Sequence, residues 1–555
     1  MLVQAPPSPA FSDVLRRDLD GETNVISDAL TSRMIPDDAL AKPCKLERRM
    51  GDSELSYYLP SRSTGVNDMY LHLGFEAPEH MVRRARVRMV WAILRVRHPL
   101  LASQVVMHDY NDVRFEFIPP QSPEDALINA DHNLEYKSTS KDDLIDSYLN
   151  GPRTLSNERL SYLIVSQRGS TLPSPPLTPR PSSPLPHKQE TPSQNHDLLI
   201  CAAHFLGDGM ALHQFANDFF GLLGSEKTQG ELETQLNEEW RARWGSTPDA
   251  TSALPRAMEE NFAEEPSRFR RAVGKVDFQR TQEQLIGGQS FPRGSRQPRH
   301  TIVPTVSYDV ERTKNILKHC KAHGVSVSAA LFAICNIAWA RVSAGKPELP
   351  TMMYSALNLR PCFTIKPLND SYWFLAVGYF NVILPNFIPK SSDISSVFWH
   401  RARIAKEQST RAAKNSMVVS RSRLMAEERG RRSRAWAKED DDRERGVYVP
   451  PPPSTSHTTP SAPSAALIGL SLLGNLDGIY KHAVFPGVKL HTLTTGSRQR
   501  SGGMLLFGYT FAGKLWISLG YDENGFEKET VGKFWENVLQ ATDELMVSGG
   551  CSTGH

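Results

Sequence analysis

Apolar residues recur along this chain in two rhythms. A two-residue rhythm marks strands at Met69 to Phe75, where Leu71, Leu73 and Phe75 share a face, at Val113 to Ile118, and at Arg159 to Val165. A three-to-four rhythm marks a helix over Val82 to Val96, with Val82, Ala85, Met89, Ala92 and Val96 in line. Pro99 explains its stop, because the residue before a proline avoids the helical region. One stretch follows neither rhythm. Leu198 to Ala203 is continuously apolar, the pattern of a strand buried on both faces. It breaks at His204, turns through Gly207 and Gly209, and hands over to a helix whose Leu212, Phe215, Ala216, Phe219 and Leu223 line one side.

The second half repeats this alternation. A strand over Ile302 to Tyr308 leads to Asp309, a predicted N-cap for a helix that runs to His323 and ends at Gly324. Ser326 caps the next helix, over Ser328 to Val342. Met353 to Pro361 reads as a strand closing in Asn358-Leu-Arg360, and Ala376 to Pro385 as another. A helix over Val397 to Lys414, an apolar run from Leu467 to Tyr480, a hairpin around Phe511-Ala-Gly513 and a helix over Gly525 to Glu544 complete it.

Other stretches are read as lying outside the core. Residues 1 to about 50 read as a loosely packed lead-in. Ser170 to Gln194 holds eight prolines and reads as a disordered loop between strands that pair as a hairpin. The polar stretch Gly224 to His300 reads as a crossover with short helical pieces. Arg421 to Arg445 is a dense mixed-charge run, expected as a solvated helix or disordered segment, and Pro450 to Ser464 as a second disordered insert. The expected organisation is an N-terminal domain over 1–225 with an insert at 170–194, a linker over 226–300, and a C-terminal domain over 301–555 with an insert at about 421–464.

Composition adds mainly exclusions. Lys and Arg total 64 and Asp and Glu 61, a net charge of +3, which gives no electrostatic ground for a nucleic-acid partner or an anionic membrane. The apolar runs are too short to insert in a membrane, and the N-terminus lacks the basic start and apolar core of a signal peptide. Cys44, Cys201, Cys320, Cys335, Cys362 and Cys551 show no metal-ligand spacing, so no metal site is expected. Cys201, Cys320 and Cys335 sit in apolar patterns and read as buried free thiols, which fits a reducing cytoplasm.

Taken singly, His204 reads as a structural histidine and Asp208-Gly209 as a turn. Together, the buried strand, the His, three residues, the Asp-Gly pair and the amphipathic helix resemble the His-x-x-x-Asp-Gly element of the CoA-dependent acyltransferase superfamily. Chloramphenicol acetyltransferases, plant alcohol acyltransferases and peptide-synthetase condensation domains carry it. The segment Cys320 to Leu331 and the Asn358-Leu-Arg360 element are similar to parts of the superfamily's second domain. The motif region, Ser471-Leu-Leu-Gly-Asn-Leu-Asp-Gly478 and the final hairpin resemble one branch, the fungal trichothecene 15-O-acetyltransferases. Ala203 stands where some members have a second His, and the Asp-Phe-Gly-Trp-Gly element of the plant enzymes is absent.

The resemblance implies an α/β (α+β) fold of two condensation- or chloramphenicol-acetyltransferase-like domains. Each is a mostly antiparallel sheet flanked by helices, with the active-site tunnel between them. It implies His204 as general base and Asp208 as a structural carboxylate paired with Arg360. Gly209 and Asn358 support that turn and that strand end. Acetyl-CoA or another acyl-CoA is the implied co-substrate, and a hydroxyl of a trichothecene-like metabolite the acceptor, in a monomeric enzyme with no permanently bound cofactor. A thioester is already activated, so neither a metal nor a covalent acyl-enzyme is required. For the oxyanion or for CoA contacts, the polar run around Thr494, Thr495, Ser497, Arg498 and Arg500 offers the candidates. Two other readings stand beside this one: amide-forming condensation on carrier-bound substrates, and a catalytically inactive binding protein.

Overall fold

A computed structural model describes residues 45–167, 193–246, 253–294, 297–343, 345–364, 371–390, 393–450 and 465–548. The body of the Pro-rich tract in 170–194 and nearly all of the Pro450 to Ser464 tract lie outside these residues.

Two sheets organise the fold. In the first, the strand order is Lys489–Ser497, Met69–Pro78, Ser193–Ala202, Ser161–Ser166 and Leu134–Lys137. Its pairings are antiparallel except the last, where Leu134–Lys137 runs parallel to Ser161–Ser166. Ser193–Ala202 sits at the centre, with Leu71 opposite Ile200 on one flank and Leu163 opposite Ile200 on the other. That position accounts for its unbroken apolar run: both edges are paired, and Leu198 to Ala203 are all buried. The strands flanking the Pro-rich tract do pair antiparallel, from Ser161 opposite Ala202 to Ser166 opposite Asp197.

The second sheet runs Val377–Leu384, Thr351–Asn358, Ala466–Asn475, Met504–Phe511 and Lys514–Asp522, with Thr301–Ile302 and Thr305–Tyr308 both beside the last. Pro304 divides what the sequence reads as one strand, because proline cannot donate to the ladder. Two inner pairings are parallel, those of Ala466–Asn475 with Thr351–Asn358 and with Met504–Phe511. Helices Val310–Ala322 and Val327–Val342 begin at Asp309 and Ser326, whose side chains accept from the amides of Arg312 and Ala329. Gly324 between them adopts φ +66°, the left-handed conformation that glycine tolerates best. Each sheet has its own large buried cluster, so the molecule is a mixed α/β protein with two cores.

Three sequence expectations are revised. The end of the lead-in is not loose: Leu46–Arg49 joins a small sheet with Val113–Phe117 and Gln104–Met107, and the helix that follows, Asp52–Ser61, is largely buried. Its start is satisfied by Glu54, which accepts from the Gly51 amide at 2.8 Å, and by Glu259, which accepts from the Ser53 amide at 2.8 Å. The mixed-charge run is neither disordered nor a helix free in solvent. It forms one 27-residue helix, Val418–Glu444, that packs against Asp52–Ser61 and against Arg268–Glu283. Its charges hide the packing face: Ala426, Gly430, Ser433 and Ala437 bury a small-residue stripe while Arg421 and Arg434 pair with Asp277 and Asp52. The crossover carries two full 16-residue helices, Gln229–Trp244 and Arg268–Glu283, instead of short pieces.

Candidate active site

His204 begins a short 3-10 turn, His204–Leu206, at the end of the central strand of the first sheet. It is partly buried, and its ring stacks on Tyr57 with centroids 4.2 Å apart and planes inclined by 23°. Nδ1 lies 3.1 Å from the carbonyl oxygen of Gly207. A carbonyl only accepts, so Nδ1 carries the proton and Nε2 keeps its lone pair. Among the described residues Nε2 has no hydrogen-bond partner. Burial moves the imidazole below its ordinary value, partly offset by backbone carbonyls and by Asp208, so the ring is neutral at cellular pH.

Gly207 is extended, with φ 178°, so conformation is not what requires it. Space is: a Cβ there would sit 3.0 Å from the Trp373 ring and 3.1 Å from Ala211 Cβ. Asp208 then caps helix Gly209–Leu223, accepting from the amides of Met210 at 3.1 Å and Ala211 at 3.2 Å. Gly209, the first residue of that helix, would place a Cβ 3.1 Å from Leu473 of the second sheet.

The Asp208 carboxylate is buried and fully engaged. Arg360 Nη1 donates to Oδ1 at 3.0 Å and to Oδ2 at 2.8 Å, and the Ala376 amide donates to Oδ2 at 3.0 Å. A guanidinium can bind a carboxylate through two parallel hydrogen bonds from two nitrogens. Here one nitrogen bridges both oxygens, and Nη2 turns to the carbonyls of Phe374 at 3.1 Å and Tyr372 at 3.4 Å. Asn358, exposed at its strand end, accepts from the Arg360 amide at 3.1 Å and shapes the turn.

The carbonyls that hold Arg360 belong to a buried segment, Ser371 to Ala376, that the sequence does not single out. It plugs into the first half at several points. Ser371 Oγ lies 3.0 Å from His98 Nδ1, and Tyr372 donates its hydroxyl to Asp218 at 2.8 Å. Trp373 packs on Phe215 of the motif helix. Desolvation pushes His98 well below its ordinary pKa, consistent with a structural histidine.

The run at 494–500 is placed differently from its sequence reading. Thr494 and Thr495 are buried within strand Lys489–Ser497, and Thr495 Oγ1 donates to the Tyr70 carbonyl at 3.0 Å. Ser497 is partly buried, and its hydroxyl faces the Gln499 side-chain amide. Arg498 is buried and donates to three carbonyls, those of Tyr148, Gly151 and Pro152, at 2.9 to 3.0 Å. Through Nε and Nη2 that guanidinium ties a loop to a sheet. Arg500 is exposed.

The residues that sequence reasoning misses are Tyr57, Tyr379 and Arg429. The Tyr57 and Tyr379 hydroxyls are hydrogen-bonded to each other, and the Arg429 guanidinium lies 5.1 Å from one ring centre and 4.6 Å from the other. Leu55, Tyr58 and Leu59, three and four apart, are the signal that could have found the helix carrying Tyr57. Among the described residues no group of three His, Cys, Asp or Glu side chains could hold a metal ion. No single described helix is long and apolar enough to cross a membrane.

Solved structures share this fold across most of the chain. The trichothecene 15-O-acetyltransferase TRI3 of Fusarium sporotrichioides is 12% identical and superposes with a TM-score of 0.68, covering 91% of this chain and 95% of that one. The first condensation domain of the CDA synthetase is 13% identical at a TM-score of 0.53, covering 90% and 96%. The fold is that of the condensation-type acyltransferases. The epimerization domain from the third module of tyrocidine synthetase B is 13% identical at a TM-score of 0.54, covering 91% and 97%. No family model and no curated protein sequence matches the chain. In this fold the His204 turn stands at the end of the first sheet's central strand, and the Asp208 carboxylate is tied to a strand end of the second.

Proposed function

We propose that this protein is a CoA-dependent O-acyltransferase, moving an acetyl group from acetyl-CoA to a hydroxyl of a small molecule. The acceptor class is a fungal secondary metabolite of the trichothecene-like sesquiterpenoid kind, and the enzyme works as a monomer in the cytoplasm. One observation carries the reading: the Gly207 carbonyl fixes the proton of His204 on Nδ1, leaving Nε2 as a neutral base.

In this mechanism Nε2 takes the proton of the acceptor hydroxyl as its oxygen attacks the thioester carbonyl. The tetrahedral intermediate collapses with loss of the thiolate, which receives the proton back from Nε2. No acyl-enzyme forms. Asp208 does not touch the reacting atoms; together with Arg360 it holds the turn that aims the imidazole. The overall likeness to TRI3, an acetyltransferase, supports the choice of donor and acceptor.

The test is to incubate the purified protein with acetyl-CoA and a panel of hydroxylated metabolites, following free CoA thiol and the mass of acetylated product. Thiol release tied to a product heavier by one acetyl group, lost in His204→Ala, is the expected result. A second reading, amide formation on carrier-bound substrates, draws on the likeness to condensation domains. An arm with carrier-protein thioester and amine separates the two.

A further inference from the structure

Acyl transfer needs a donor for the oxyanion; Thr495 donates to the Tyr70 carbonyl and Ser497 accepts from Gln499, while the buried Thr494 hydroxyl has no hydrogen-bond partner among the described residues. A different pair lies beside His204. Tyr57 comes from helix Asp52–Ser61 in the first half, and Tyr379 from strand Val377–Leu384 in the second. Their hydroxyls are bonded to each other, so the pair bridges the two halves next to the imidazole on which the Tyr57 ring is stacked. In such a pair one O–H donates to the other oxygen, and the second O–H is left to donate outward. Arg429 lies over both ring faces and makes no ion pair among the described residues. A cation over a phenol ring draws on its π electrons and strengthens the O–H as a donor. Burial, with Tyr379 as neighbour, pushes the Tyr57 phenol well above its ordinary pKa, so it keeps its proton at neutral pH.

We propose that the Tyr57–Tyr379 hydroxyl pair, polarised by Arg429, is the oxyanion donor for acyl transfer at His204. The proposal rests on the acyltransferase reading. As the acceptor oxygen bonds to the thioester carbon, the π pair of that carbonyl moves onto its oxygen, and the outward O–H of the pair donates to it. His204 Nε2 holds the acceptor's proton meanwhile. When the C–S bond breaks, the electron pair on oxygen re-forms the carbonyl and the sulfur leaves as thiolate, to be protonated from Nε2. The tyrosine protons are never transferred; the hydrogen bond only strengthens as negative charge develops, and that difference is what lowers the barrier.

The test uses the full chain with acetyl-CoA, read by thiol release with and without acceptor. Tyr379→Phe and Tyr57→Phe keep both rings and the stack on His204 but break the hydroxyl pair. The variant that removes the outward donor should lose about 10²–10³-fold in kcat, with KM for acetyl-CoA changed by no more than about threefold. Arg429→Met, which keeps the side-chain length, should lower kcat by about tenfold, and Arg429→Lys should recover part of it. If both phenylalanine variants turn over at the wild-type rate while His204→Ala is inactive, the tyrosine proposal is wrong and acyl transfer stands. A fall confined to KM would make the tyrosines binding residues and overturn it as well. If the wild-type chain releases no thiol that depends on His204, the acyltransferase reading fails and takes this proposal with it.

Discussion

Arg360 meets Asp208 with one nitrogen, Nη1, at 3.0 and 2.8 Å from the two carboxylate oxygens, and spends the other on the carbonyls of Tyr372 and Phe374. The pair thus joins the motif turn of the first half to a strand end of the second. Removing either partner leaves a desolvated charge, so Asp208→Ala and Arg360→Ala should each destabilise the protein by about 3–5 kcal/mol. The double variant should cost clearly less than the sum, because the second deletion removes a charge already orphaned. Denaturant unfolding of the four proteins checks this, and additive losses would separate the two residues. Asp208→Asn can still cap Met210 and Ala211, but its amide would turn a donor toward Arg360 or the Ala376 amide. It should therefore be milder than Ala in stability yet still slow.

The lowered pKa of His204 gives its proposed role as base a pH signature. Desolvation disfavours the imidazolium, so the acid limb of kcat/KM should have its midpoint below about 6.5, the unperturbed value. Activity should be flat from there through neutral pH. A midpoint above that value, measured with saturating acetyl-CoA, would contradict a base in this environment.

His213 should shape stability and not activity. It is buried on the motif helix, Nδ1 lies 2.9 Å from the Tyr480 hydroxyl, and desolvation lowers its pKa to about 3. Below the unfolded value near 6.5, the unfolded chain binds this proton and the folded one does not. Stability is therefore full above about 6.5 and falls as pH drops toward 3, by up to about 1.4 kcal/mol per pH unit from this group. His213→Gln should flatten the slope by about that amount between pH 6 and 4, as read from urea midpoints.

Arg498 separates a structural from a ligand-binding role. With its guanidinium bound to three carbonyls, Arg498→Met leaves those acceptors without their donor. It should destabilise the protein by about 2–4 kcal/mol. KM for acetyl-CoA, measured at low temperature where the variant is folded, should stay within about twofold of wild type. A large rise in KM at unchanged stability would return Arg498 to the CoA site.

Most elements of both halves were legible in the sequence, because their apolar rhythm is what the cores demand. The Leu198 to Ala203 run and the Asp309 and Ser326 caps are examples. So was the nearness of Asp208 and Arg360, through the resemblance carried by two short motifs. Two kinds of element were not. Helix Val418–Glu444 packs through Ala, Gly and Ser, and its charged residues outnumber them, so hydropathy does not mark its inner face even though the buried small residues keep a helical spacing. The aromatic surroundings of His204 come from three elements far apart in the chain. Tyr57, Tyr379 and Arg429 have no shared spacing, and only the tertiary fold brings them to one ring.

Strand Lys489–Ser497 has a consequence for how the molecule is made. It pairs with Met69–Pro78 and forms one edge of the first sheet, with Leu493 opposite Leu73 and Thr495 opposite Leu71. The first half therefore cannot complete its sheet until some four hundred further residues have been synthesised. During that interval Met69–Pro78 presents an unpaired backbone edge, of the sort that recruits other chains. Contacts so distant in sequence also slow folding, since their loops must close before they stabilise anything. A ribosome-bound chain stalled before Lys489 should remain open to protease within the first half, and separately expressed halves should be stable only when combined.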